Sequence, residues 1–138
     1  MITLRTSQFD RIFAYARAAD PAECCGLIGG SEDGQAKSIY PLNNVAFDRE
    51  VAYEAAPEEL FAAQRQMRER GEQLLAIYHS HPRSHDPAPS DTDVRLAYYP
   101  SAIYFIIGLA GAEPTMRAFC ISERKQRWER VEYEIADE

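Results

Sequence analysis

The sequence predicts an α/β domain built on one mixed β-sheet with helices packed against it. Three observations predict it. Helical and strand-like stretches alternate in the order α-β-β-β-α-β-α-β-β-β, an order that suits a sheet sandwiched by helices. Two stretches, residues 74–78 within "QLLAIYHSH" and residues 102–109, "AIYFIIGL", are almost continuously apolar, as strands buried on both faces are. The chain has 138 residues, so residues 1–138 read as a single domain. A domain of this size buries roughly 68% of the surface its unfolded chain exposes, so it needs neither disulfide nor structural metal to fold.

The elements follow in order. "ITL" (2–4) is a short opening strand or lead-in. Thr6 or Ser7 caps a helix running to about Ala19, with Phe9, Ile12, Phe13 and Ala16 on one face, and Asp20-Pro21 stops it. "ECCGLIGG" (23–30) is a short buried strand, "SEDGQ" a turn, "AKSIYPL" (36–42) a returning strand and "NNVAFDRE" a loop. "VAYEA" (51–55) reads as a third strand. Pro57 begins a second helix, with Glu58 and Glu59 at its positive end. Leu60, Phe61, Gln64 and Met67 form its narrow stripe, and Gly71 closes it. "QLLAIYHSH" (73–81) is the central strand and "PRSHDPAP" (82–89) a Pro-rich loop. Residues 90–99 form a short helix ended by Pro100, and 102–109 is the next buried strand. "TMRAFCI" (115–121) and "QRWERVEYEI" (126–135) read as a closing antiparallel hairpin around "SERK".

Composition excludes several functions. The net charge is −7, which argues against nucleic acid, since phosphate contacts need clustered Lys and Arg. The longest basic cluster, "ERKQR" (123–127), is interrupted by Glu and reads as a solvated turn. No apolar run approaches the ~20 residues of a membrane span. "MITLRTSQFD" lacks a signal-peptide core. Three cysteines, two of them adjacent, make a poor disulfide framework and read as buried small hydrophobes in a reduced, cytoplasmic protein.

All three histidines fall within "HSHPRSH", at the end of the central strand. His79 and His81 are two apart on a strand and project from the same face. Pro82 turns the chain out of the sheet, and Asp93 lies in the first turn of the next helix, able to point back. Two imidazoles and a carboxylate leave the fourth position of a tetrahedral Zn²⁺ open, the pattern of a catalytic site. Taken alone, two strand histidines read more readily as ordinary residues than as ligands, and Ser90-x-x-Asp93 as a helix capping box. The combination points to a metal. His85 is surplus and reads as an exposed loop residue.

"HSHPRSHDPAPSDTD" resembles the JAMM motif of the MPN+ metalloproteases, His-x-His-Pro-x₇-Ser-x-x-Asp, without a mismatch. "PAECCGLIGG" resembles that family's upstream strand, where a Glu closely precedes Cys-Gly-Leu. The resemblance implies a cytidine-deaminase-like α/β sandwich and one zinc ion per chain held by His79, His81 and Asp93. It implies Glu23 as general acid/base and Ser90 as the donor facing the oxyanion. It also implies a substrate class: the amide or isopeptide bond after a C-terminal Gly-Gly of a ubiquitin-like protein. The short chain is similar to the small stand-alone prokaryotic members, which act on sulfur-carrier proteins of ubiquitin-like fold. A Gly-Gly tail suits binding as an added strand, and residues 43–55, with Asn43, Asn44 and Val51, are the expected wall of its channel. A homodimer is compatible with the sequence. Two other readings stand beside this one: a non-catalytic MPN scaffold and a zinc amidohydrolase acting on a small amide.

Overall fold

The computed structural model describes residues 1–137. Its elements are β1 (Ile2–Arg5), α1 (Thr6–Ala19), β2 (Cys25–Gly30), β3 (Ala36–Leu42), α2 (Pro57–Glu69), β4 (Gln73–His81), α3 (Asp91–Arg95), β5 (Ile103–Gly108), β6 (Thr115–Ser122), β7 (Arg127–Val131) and β8 (Tyr133–Ala136). Six strands form one sheet in the order β3-β2-β4-β5-β6-β7. β4 and β5 run parallel and every other neighbouring pair is antiparallel, so the sheet is mixed, as expected. β1 and β8 pair in parallel as a separate ribbon.

The strand period of two divides the core. Ala76 and Tyr78 of β4, Phe105 and Ile107 of β5, and Met116 and Ala118 of β6 pack with Ile12, Phe13 and Ala16 of α1 and with Ile2 and Leu4 of β1. The alternate residues, Ile77, Ile106, Phe119 and Ile121, pack on the other face with Ala63 and Met67 of α2 and with Val94 and Ala97 in and after α3. Both faces are therefore covered, which is why the β4 and β5 sequences carry almost no polar residue until the histidines.

The structure corrects several expectations. Residues 51–55 are not a strand: the segment makes only an isolated bridge, Asn44 to Ala55, because its partner turns away into the 46–50 loop. The third helix ends at Arg95 rather than Tyr99, since Pro100 cannot continue it and Tyr98 turns back with its N–H on Leu96 O. The closing strand breaks after Val131, and β8 leaves the large sheet to pair with β1, where the Tyr133 ring meets Phe105 edge-on at 5.1 Å. Neither Thr6 nor Ser7 caps α1. Arg5 takes that position, with its N–H donated to Gln8 Oε1 at 2.8 Å. Phe61 lies outside the buried stripe of α2, and Cys120 is exposed rather than buried.

Gly26 on β2 faces Tyr78 on β4 at the middle of the first core. A Cβ added there would fall inside the fully buried Tyr78 ring. Gly26→Ala is expected to cost about 1–3 kcal/mol, the range for overpacking, and to lower Tm by several degrees. Thermal unfolding followed by circular dichroism checks this, and an unchanged Tm would contradict the packing.

Candidate metal centre

The end of β4 carries His79, Ser80 and His81. The strand period sends both histidines to the α2/α3 face and Ser80 to the other. His79 is completely buried. After Pro82 the chain leaves the sheet, crosses a loop and restarts as α3 under a capping box. The Asp93 N–H donates to Ser90 Oγ at 3.0 Å, and the Ser90 N–H donates to Asp93 Oδ2 at 2.9 Å. The capping box thus fixes the aim of the Asp93 carboxylate.

That aim closes a triangle. Asp93 Oδ2 lies 3.2 Å from His79 Nε2 and 3.0 Å from His81 Nε2, and the two nitrogens are 3.2 Å apart. A tetrahedral ion with ligand bonds of ~2.0–2.1 Å has ligand–ligand edges of ~3.3 Å, so the triangle has the size of one tetrahedral face. Two imidazoles and one carboxylate are a donor set for a divalent cation with one position left open. Glu23, just before β2, places a carboxylate oxygen within 4.8 Å of a nitrogen of each histidine. The ladder brings it there: Cys25 stands opposite His79, and Glu23 shares its side of the strand.

Electrostatics separates the groups. Burial lowers the pKa of His79 and keeps it neutral, the form that binds metal. Burial alone would lower His81 as well, but its hydrogen bond to Asp93 and the charge of that carboxylate raise it. Burial would raise Asp93, yet the two imidazoles and the Ser90 amide outweigh it and hold Asp93 well below the usual carboxylate range. Glu23 goes the other way. Burial lifts it to about 7, partly offset by His81 and reinforced by Asp93. Its Oε1 is buried without a hydrogen-bond partner, and so is His79 Nδ1. The neighbouring thiols are inert, because burial pushes Cys24 up to about 11 and Cys25 up to about 12.

Ser90 is exposed at the cap, and its hydroxyl hydrogen is left free to donate. His85 is exposed on the loop and takes no part in the triangle. The residues expected to form a channel wall divide. Asn43 is tied to α2, its N–H and Nδ2 donating to the two Glu59 carboxylate oxygens at 2.9 and 3.1 Å. The Asn44 side chain is engaged entirely with main-chain groups. Val51 is 60% exposed and stands outside the cleft that opens beside Asp93. That cleft, of about 230 Å³, is lined instead by Leu42, Tyr53, Leu60, Leu96, Tyr98 and Tyr104, among others.

Two residues of the centre were not legible in the sequence. The Ser80 hydroxyl, buried beneath the histidines, accepts the Cys24 N–H at 2.8 Å and couples β4 to the residue after Glu23. The only signal for it is a small polar residue between two histidines. Tyr53 stacks on the His79 ring at 4.4 Å and 26° and separates it from the apolar cleft, and nothing local to its sequence announces that.

Comparison with known proteins agrees with this geometry. Residues 5–122 match the family described as prokaryotic homologs of the JAB domain. The chain is 38% identical over 110 residues to a desampylase from Haloferax volcanii, covering 76% of this chain and 78% of that protein. It is 31% identical over 108 residues to a CysO-cysteine peptidase from Mycobacterium tuberculosis, covering 78% and 73%. A Desulfitobacterium hafniense protein whose structure was determined in solution superposes with a TM-score of 0.88 at 37% identity, covering 100% of this chain and 94% of that one.

The raised Glu23 carboxyl has a measurable consequence in metal-free protein. In the unfolded chain the carboxyl loses its proton near 4.5, whereas the native state keeps it to about 7. Rising pH across that window therefore favours the unfolded state and removes stability. Glu23→Gln should lack this component, so its stability relative to the parent should grow from pH 4.5 to 7 and then level off. Urea unfolding in chelator at a series of pH values checks the difference. Parallel curves for the two proteins would mean that the fold does not raise the Glu23 carboxyl above its unfolded value.

Proposed function

The chain belongs to the prokaryotic JAB-domain family, and from that membership and the geometry of its centre we propose that it is a zinc-dependent peptidase. Its substrate is the amide bond after a C-terminal Gly-Gly of a ubiquitin-like sulfur-carrier protein in the cytoplasm. One observation carries the catalytic part. Three donor atoms stand 3.0–3.2 Å apart, and a fourth group, Glu23, lies close by without a hydrogen-bond partner for its buried oxygen. His79, His81 and Asp93 hold the zinc. A zinc ion there supplies a Lewis acid for the carbonyl and brings the pKa of water down to ~7.

The chain's own groups do the rest. Glu23 takes the proton of the attacking water and delivers it to the leaving amine, and it stands beside the three donor atoms with its Oε1 not engaged in a hydrogen bond. The free O–H of Ser90 donates to the developing oxyanion. Tyr53 covers one face of His79 and keeps water from that side.

The relatives' names support the substrate class, one being a desampylase and the other a peptidase of CysO-cysteine. The 52–55 segment supports the mode of binding. Ala52 O, Glu54 N and Glu54 O are bonded back to residues 44 and 45, while the main chain of Tyr53 makes no hydrogen bond among the described residues. Tyr53 thereby offers a free edge beside the cleft, to which an extended tail adds as a strand.

The test has two parts. Elemental analysis of protein purified without added metal should give about one zinc per chain. The zinc should be lost in His79→Ala, His81→Ala and Asp93→Ala and retained in His85→Ala. Glu23→Gln should keep zinc and fold but lose about 10²–10⁴-fold in kcat. Ser90→Ala should lose about 10²-fold and keep zinc, because the N–H that holds Asp93 belongs to the main chain. Turnover is read by mass spectrometry on a carrier ending in Gly-Gly-Cys beside its Gly-Val-Cys counterpart. Equal cleavage of the two, or turnover of small amides with the carrier untouched, would reject the tail reading.

A further inference from the structure

Asn44 makes five hydrogen bonds through one side chain, all to the main chain. Nδ2 donates to Glu23 O at 2.9 Å, to Ala52 O at 3.0 Å and to Arg49 O at 3.4 Å. Oδ1 accepts the N–H of Ala46 at 3.0 Å and of Glu54 at 3.1 Å. Arg49 O also receives the Glu23 N–H, at 2.6 Å. The 44–54 loop is thus folded around this amide, and the two peptide groups flanking Glu23 are fastened to the loop.

Glu23 needs such fastening. It lies ahead of β2, beyond the last rung of the ladder at Cys25 and His79, and its own N–H bonds to Arg49 O in the loop rather than to a neighbouring strand. Its carboxylate has no side-chain anchor either, since the buried Oε1 has no hydrogen-bond partner. A carboxylate with no hydrogen bond at its tip among the described residues takes its aim largely from its backbone. On one side that backbone is held by Ser80 through the Cys24 N–H, and on the other by Asn44 and Arg49.

We infer that Asn44 is a positioning residue for Glu23, fixing through Glu23 O where the carboxylate stands over the metal centre. The catalytic part of this statement rests on Glu23 as the proton carrier proposed above. The placement itself does not. The two halves of the amide have different tasks. The acceptor half shapes the loop through Ala46 and Glu54, and the donor half ties Glu23 O to the loop carbonyls of Ala52 and Arg49.

Asn44→Asp separates them, because it is nearly isosteric, keeps an acceptor for Ala46 and Glu54, and replaces the donor with an oxygen facing three carbonyls. Amide hydrogen exchange followed by NMR reads the placement without reference to activity. The Glu23 N–H should exchange at least about 10-fold faster while Ala46 and Glu54 stay protected. Kinetics on the carrier substrate reads the consequence: kcat falls about 10–100-fold with KM within about twofold, as a displaced reacting group requires. In the Glu23→Gln background the same substitution should cost nothing further, because the group being positioned is gone. Should Asn44→Asp fail to fold, Asn44→Ser carries the same comparisons.

Unchanged exchange at Glu23, or equal acceleration at Glu23, Ala46 and Glu54, would overturn the inference. So would a raised KM at unchanged kcat, which marks a direct substrate contact. Full turnover in Glu23→Gln would instead reject the proton-carrier assignment, leaving the exchange data to decide the placement.

Discussion

Asp93 Oδ2 accepts the Ser90 N–H at 2.9 Å and at the same time stands 3.0 and 3.2 Å from two imidazole nitrogens. Without an ion, the contacts to the carboxylate are made by imidazole N–H groups that donate to it, and a cation would turn the lone pairs of the same three atoms inward. His79 is fully buried and kept neutral, so only His81, raised by Asp93, offsets the charge of the carboxylate in the metal-free protein. Buried carboxylates are costly unless paired. The arrangement therefore favours a cation strongly, and much of the surrounding architecture maintains the crowding. The capping box aims Asp93, the continuous apolar run of β4 fixes the register of the histidines, and Tyr53 packs against the inner ring.

The sheet divides labour between its faces. His79 and His81 share the face covered by α2 and α3, while Ser80, between them, turns to the α1 face and fastens Cys24. One strand end thus presents the metal donors and also holds the segment bearing Glu23. The topology explains the location. β4 and β5 are the only adjacent parallel strands of the six-stranded sheet, and the site opens at their C-terminal ends, where connections must leave the sheet and a cleft forms. Two carboxyl groups near each other are driven in opposite directions there. Asp93 is held ionised by partners and Glu23 is lifted by burial, a separation that suits the proposed roles of ligand and proton carrier.

Much of this was legible in the sequence where one physical constraint dominates. Residues 36–42 and 73–81 are observed as strands with the boundaries read from their apolar runs and turn residues. The convergence of His79, His81 and Asp93 followed from strand period and a short loop. What escaped depends on partners distant in sequence. The 51–55 segment has strand-like composition but finds no neighbouring strand. Residues 133–136 look like the continuation of β7, yet burial of Tyr133 against Phe105 draws them to β1. Phe61 fits the helical stripe by spacing, but the smaller Ala63 and Met67 meet the sheet. Asn44 reads from the sequence as part of a channel wall, because a polar loop residue gives no local sign that its amide will bond main-chain groups on five residues.

The central claim is that two histidines and one aspartate, with no sulfur, hold a zinc ion in this fold. X-ray absorption at the zinc edge, on protein purified without added metal, tests it most directly. Zinc held by these three side chains gives four nitrogen and oxygen neighbours at ~2.0–2.1 Å, with the multiple scattering of two imidazoles. A sulfur shell at ~2.3 Å, which would bring Cys25 into the ligand set, or a single-imidazole spectrum would contradict it.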